Sequence, residues 1–143
     1  MACHFKLVLC FNLYLQQKVV MLQKESKLIV ADNSGAALVK CVRVVKKNYG
    51  TLGNFVLTVL QVFSRKKKLV KKKKYLGLVI STVKFKRRLN GVFIRFSKNR
   101  VIIFIEKNKF AGTRIYGPLC KEIRNKSLYS RFKKLISYAH RIV

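Results

Sequence analysis

The sequence predicts a mainly β protein, a small antiparallel barrel followed by two short helices, and three observations predict it. Short runs rich in β-branched and aromatic residues recur between Lys27 and Ile105, separated by clusters of Gly, Asn, Asp and Ser. An Asn-Gly dipeptide, Asn90-Gly91, stands between two such runs, and this is the strongest short hairpin signal a sequence can carry. Beyond Pro118 the apolar spacing changes from every second residue to every third or fourth.

Residues 1–22 stand apart as an N-terminal extension, and residues 23–143 are read as the folded domain. Phe5 to Leu15 is apolar except for Lys6 and Asn12, too short to cross a bilayer, which takes about 20 residues. No small-residue cleavage site follows it, and it lacks the arginines of a mitochondrial presequence. The extension is therefore expected to be retained and packed on a neighbour rather than in a membrane.

The domain then reads element by element. Leu28-Ile29-Val30 is a short strand stopped by the turn formers Asp32-Asn33-Ser34-Gly35. Val39 to Val45 is a second strand, Gly50 and Gly53 punctuate, and Phe55 to Phe63 is a third. Leu76 to Val83 is a fourth. Asn90-Gly91 fits a type I′ turn, both of whose central residues need φ > 0. After it Val92, Ile94 and Phe96 alternate with Phe93, Arg95 and Ser97, the pattern of a half-buried strand. Lys98-Asn99-Arg100 leads into a last strand, Val101 to Ile105. Pro118 suits the first turn of a helix in which Leu119 and Ile123 share a face. Leu128, Phe132, Leu135 and Ile136 form the stripe of a second, amphipathic helix.

Charge narrows the function. The 143 residues carry 33 Lys+Arg against 4 Asp+Glu, a formal net charge of +29, yet half of the chain is hydrophobic. Such a chain can bury a core, which argues against disorder, but it repels itself unless a polyanion supplies the counter-charge. The four acids, Glu25, Asp32, Glu106 and Glu122, are scattered, so no paired-carboxylate catalytic site is on offer and no enzymatic role is expected. Cys3, Cys10, Cys41 and Cys120 show no metal-ligand spacing, and reduced thiols acting as small hydrophobes are expected. Cys3, His4 and Cys10 are close enough in sequence to share a metal, but their spacing is irregular; neither metal nor cofactor is expected. The abundance of Phe, Ile, Lys, Asn and Tyr, with one Pro and no Trp, fits A+T-rich codons such as those of organelle genomes.

Two basic clusters are the candidate binding residues. Arg65, Lys66, Lys67, Lys68, Lys71, Lys72, Lys73 and Lys74 surround Leu69-Val70 between two strands. Six residues per arm would project a hairpin by about 20 Å, suited to neutralising phosphates within folded RNA. The blander reading is a solvated loop or an import signal. The second cluster is Lys84, Lys86, Arg87 and Arg88 beside the Asn90-Gly91 turn. Phe85 and Phe93 are interleaved with it and could stack on bases, but rings in such runs are more often core, and core is expected for both.

Four motifs carry a family resemblance. Ala31-Asp32-Asn33-Ser34-Gly35-Ala36 resembles the opening motif of universal large-subunit ribosomal protein fourteen. Gly77-Leu78-Val79-Ile80, then Asn90-Gly91, Ile94-Arg95-Phe96 and Asn99, is similar to that family's central signature. Gly112-Thr113-Arg114-Ile115-Tyr116-Gly117-Pro118, with Glu122 and Arg124, resembles its third motif, and Lys134-Leu135-Ile136-Ser137-Tyr138-Ala139 its C-terminal helix end. The likeness runs in order from Met21 to Val143. The chain departs from the family pattern at Ile102, where valine is usual, at Asn90 and Ser97, where aspartate is usual, and at His140, where proline is usual. The lost acids make the surface more basic.

The resemblance implies a five-stranded barrel with a projecting basic hairpin and C-terminal helices, bound to large-subunit rRNA near the face that meets the small subunit. It implies packing on the third and nineteenth large-subunit proteins and a bridge to small-subunit rRNA. Carried over by position, the rRNA-binding candidates are Arg65 to Lys68, Lys71 to Lys74, Lys84, Lys86, Arg87, Arg88 and Arg95. The bridge candidates are Thr113, Arg114, Lys121 and Arg124. Arg114 offers a planar fork of donors to a phosphate or carboxylate; the alternative is that it caps a carbonyl or pairs with Glu122. The rival reading is a free-standing nucleic-acid-binding β-barrel, which would need aromatic rings exposed on one sheet face. A membrane-surface protein would need a basic helix with a wide apolar face, which the basic run lacks. The extension, the composition and the departures favour a mitochondrial ribosome, with a plastid or a bacterial cytoplasm as alternatives.

Overall fold

A computed structural model describes residues 22–64, 69–70, 72–106, 109–123 and 135–143. The strands are β1 (Lys27–Val30), β2 (Ala36–Val44), β3 (Phe55–Phe63), β4 (Lys74–Ser81), the short β5 (Lys86–Arg87) and β6 (Phe93–Ile94), β7 (Arg100–Glu106), β8 (Lys109–Phe110), β9 (Ile115–Leu119) and β10 (Ala139–Ile142). Four antiparallel pairings run β1–β2–β3–β4–β7, and a parallel pairing of β1 with β7 closes the ring. Five strands cannot alternate direction all the way round a closed ring, so one pairing has to be parallel. The closed barrel leaves none of its five main strands an open edge, and β8 extends the sheet beyond β7.

The long apolar runs of β4 and β7 follow from burial on both faces. Tyr75, Val79, Val101 and Ile103 point into the barrel with Leu28, Val39, Cys41 and Val56. Leu78, Ile80, Ile102 and Phe104 point outward into a second core, with Leu119, Cys120, Ile123 and Leu135 from the C-terminal segment. Gly77 of β4 faces the barrel interior and has no room for a side chain: a Cβ there would stand 2.6 Å from Val101 Cγ2 on the adjacent strand β7.

Asp32, in the first turn, explains why an acid is buried in so basic a protein. Its Oδ1 accepts the Ser34 N–H at 2.9 Å and its Oδ2 accepts the Ile103 N–H at 3.0 Å. The turn is thus tied to β7 beside the parallel seam.

Three expectations are corrected. Pro118 does not open a helix; it lies in β9, opposite Arg141 of β10, at an irregular register. Gly117 just before it takes φ +90°, outside helical space, and Pro is tolerated where a ladder is irregular or at an edge. Leu119 and Ile123 are buried together nonetheless, across a 3-10 turn at Lys121–Ile123. The Asn90-Gly91 turn is not type I′, because only Gly91 has positive φ, at +79°. Instead the Gly91 N–H donates to the Arg88 carbonyl at 3.0 Å and the Arg88 N–H to the Val92 carbonyl at 2.8 Å, a three-residue loop closed by a left-handed glycine. Third, β3–β4 pairing ends at Val59 and Lys74, and the described centre of the basic loop is fastened to the barrel. Leu69 is buried in the inner core, and the Val70 N–H donates to the Tyr75 phenol oxygen at 2.8 Å. Of the expected second helix, residues 135–138 are helical and Leu135 is buried; Leu128 and Phe132 lie outside the described residues.

Candidate nucleic-acid interface

The β5–β6 hairpin is pinned at its base by polar side chains. The Ser81 hydroxyl donates to the Lys98 carbonyl at 3.0 Å, and the Val83 N–H donates to Asn99 Oδ1 at 2.8 Å. The Phe96 N–H donates to the Thr82 carbonyl at 3.2 Å. These bonds give Asn99, one of the motif residues, a structural task.

Register then sorts the hairpin into two faces. Lys86 lies opposite Ile94 and Arg87 opposite Phe93, so Phe85 faces Arg95 one step further. Lys84, Lys86, Ile94 and Phe96 turn toward the barrel and are half-buried, and Phe96 packs on the outer core. Phe85, Arg87, Phe93 and Arg95 share the opposite face and are exposed. The expectation that Phe85 and Phe93 are core is overturned: they are 50% and 62% exposed. Nothing in the described chain covers that face of the ribbon, so its rings stay out although their neighbours across the pleat go in. Each has a guanidinium beside it, Arg95 at 5.0 Å from the Phe85 centroid and Arg87 at 6.0 Å from that of Phe93. The alternation of Phe93 with Arg95 about the turn already signalled this.

Arg88 is placed differently from its neighbours. Its Nε donates to Glu122 Oε1 at 2.8 Å, and its Nη2 donates to Glu122 Oε2 at 3.3 Å and to the Val143 carbonyl at 3.0 Å. This fork ties the hairpin to the C-terminal segment, a link the sequence did not announce. The Arg88 guanidinium holds the Glu122 carboxyl down at about 2. The Cys120 thiol also donates to Glu122. Burial, reinforced by that carboxylate, pushes the thiol up to about 11, so it is inert at neutral pH. Cys41, also free and buried, is raised by burial first and by Glu25 second.

An open groove of about 350 Å³ lies at the hairpin base, lined by Gly50, Thr51, Leu52, Thr82 and Lys84 to Arg87. Of the basic run, Lys72, Lys73 and Lys74 are exposed, and Lys72 takes a left-handed φ of 65°. Arg65, Lys66, Lys67, Lys68 and Lys71 lie outside the described residues, as does the whole extension through Met21, with Cys3, His4 and Cys10.

Two of the bridge candidates, Thr113 and Arg114, sit on a loop that the opening motif builds. Asn33 Oδ1 accepts the N–H groups of Thr113 at 2.8 Å and Arg114 at 3.2 Å, and Asn33 Nδ2 donates to the Thr113 hydroxyl at 3.2 Å. Gly112 is required there, since a Cβ would stand 2.6 Å from Asn33 Oδ1. Thr113, Arg114 and Lys121 are exposed, and Arg124 lies outside the described residues. Glu122 pairs with Arg88, so the alternative of an Arg114–Glu122 pair is set aside.

Three of the four acids are therefore engaged within the fold: Glu25 by Lys40, Asp32 by backbone N–H groups and Glu122 by Arg88. The cationic surface has almost no internal counter-charge. The motif residues perform the structural tasks just described, and the chain matches the family model of ribosomal protein L14p/L23e over residues 21–143. A match of that extent makes the protein a structural component of the large ribosomal subunit and a member of the ribosomal protein L14p/L23e family.

Proposed function

We propose that the protein binds large-subunit rRNA through the basic run 65–74 and the β5–β6 hairpin, and that the 112–114 loop with Lys121 faces the small subunit as a bridge. The observation that carries this reading is the internal engagement of Glu25, Asp32 and Glu122, which leaves the surface cations to an external polyanion. Arg88 is assigned to the hairpin's attachment rather than to phosphate, since its fork is already occupied. The third and nineteenth large-subunit proteins are the proposed protein neighbours, and the mitochondrion is the proposed compartment, on the composition and the departures from the family pattern.

Sedimentation of native particles tests the core of this. The protein is expected in the large-subunit peak, and Arg114→Glu is expected to leave it there while weakening subunit joining. Normal joining with that variant, or failure to incorporate, removes the bridge assignment. For the basic run, changing Lys66, Lys67, Lys71 and Lys72 to Gln is expected to flatten log K against log salt by a few units, about 0.9 per lost duplex phosphate contact. An unchanged slope takes the run off the phosphates.

A further inference from the structure

We propose that the exposed face of the β5–β6 ribbon is a stacking platform for unpaired nucleotides, with Phe85 and Phe93 taking one base each. The proposal rests on the nucleic-acid reading and sharpens it to single-stranded RNA at one place. Phe85, Arg95, Arg87 and Phe93 alternate ring and cation in a two-by-two array, set by the Lys86–Ile94 and Arg87–Phe93 register. The two rings are diagonal neighbours, about 7–8 Å apart at the backbone. Bases inside a duplex are stacked on each other and offer only edges; only unpaired bases can lay their faces on rings so spaced. Each guanidinium is close enough to stack on the same base or to turn to its phosphate.

Charge decides between RNA and a protein partner. Lys84, Lys86, Arg87 and Arg95 crowd the ribbon, and Glu122, the acid that reaches its end, is held by Arg88. An apolar protein surface laid on this face would strip water from two guanidiniums without pairing them. A strand of RNA pairs them and stacks the rings at once. The groove lined by Gly50 to Leu52 and Lys84 to Arg87 gives that strand a path off the platform.

The test uses the full chain, a labelled eight-nucleotide oligouridine and a blunt RNA duplex, with binding read by fluorescence anisotropy. Phe85→Ala and Phe93→Ala are each expected to weaken oligouridine binding roughly 5- to 100-fold while leaving duplex binding within about twofold. Phe85→Tyr and Phe93→Tyr, which keep the ring, are expected to restore affinity; a merely structural role for the side chain's bulk would be met equally by Leu, which is expected not to restore it. Arg87→Gln is expected to lower the salt slope by about one for either RNA. Equal losses on both RNAs, or no loss on oligouridine, overturn the platform while leaving general RNA binding intact. If the variants bind oligouridine normally but assembled particles lose a neighbouring protein, the face docks protein and the proposal is wrong. Wild-type protein that binds neither RNA sinks the underlying nucleic-acid reading instead.

Discussion

The outer face of β4 and β7 and the outer face of the β5–β6 ribbon are built from the same materials, alternating apolar positions on paired strands, yet they meet opposite fates. Leu78, Ile80, Ile102 and Phe104 are buried because β9, the 3-10 turn and Leu135 lie over them. Phe85 and Phe93 are exposed because no described segment lies over the ribbon, and arginines rather than aliphatics stand beside them. The difference teaches that pleat parity assigns a residue to a face, while only the rest of the chain decides whether that face is covered. A ring left uncovered in so cationic a setting is available for a ligand.

The comparison breaks first at its buried side. Leu78→Ala removes a fully buried side chain from the outer core and is expected to cost about 2–5 kcal/mol in urea unfolding. A loss below about 1 kcal/mol would mean that the C-terminal cover is not packed on the barrel in solution.

Asp32→Ala tests the polar half of the buried frame. It strands the N–H groups of Ser34 and Ile103 away from water, at about 1–3 kcal/mol each. A total loss of about 2–6 kcal/mol is expected, together with faster amide exchange at Ile103. Protection of Ile103 that survives the substitution would show that the carboxylate is not its partner.

Acidification tests the Arg88–Glu122 fork that fastens ribbon to cover. The carboxyl is held at about 2, below its ordinary value of 4.5, so the folded state binds this proton less readily than the unfolded chain. The stabilisation is therefore present above about pH 4.5 and is lost as pH falls from there toward 2. Its size is at most about 3 kcal/mol. Glu122→Gln is expected to be less stable than the parent at pH 6 and indistinguishable from it near pH 2. A gap between the two proteins that keeps its full pH 6 size at pH 2 would trace to packing instead of charge.

The sequence made the barrel legible because its strands are long, β-branched and bounded by turn formers; Phe55–Phe63 is read to the residue. It was less legible wherever a local signal competed with a distant partner. Pro118 reads as a helix start until β10, from the far end of the C-terminal segment, sets Arg141 opposite it. Asn90-Gly91 reads as a two-residue turn, but the Arg88 and Val92 pairing leaves three residues in the loop. For the candidate interface, the basic residues were legible as charge, whereas their division into free cations and the engaged Arg88 needed Glu122 brought alongside. Composition assigns Phe85 and Phe93 to a core, whereas their alternation with Arg87 and Arg95 places them on the outward face.

The smallest effect sharpens the comparison from its exposed side. Phe93→Ala removes a ring as large as that of Phe104, yet it empties no core, since most of the ring already faces water. What it loses is the contact with Arg87, which at an exposed site contributes about 0.5–1 kcal/mol at most. Some of that returns because the freed arginine regains rotamer freedom. The expected change in unfolding free energy is therefore about 0.5 kcal/mol or less, several-fold below that of Leu78→Ala. Urea unfolding of the two variants side by side measures the contrast directly, and equal slopes with denaturant would show that both unfold from the same native state. A loss above about 2 kcal/mol for Phe93→Ala would mean that the ring is covered in solution, and the platform would then have no free face to offer a base.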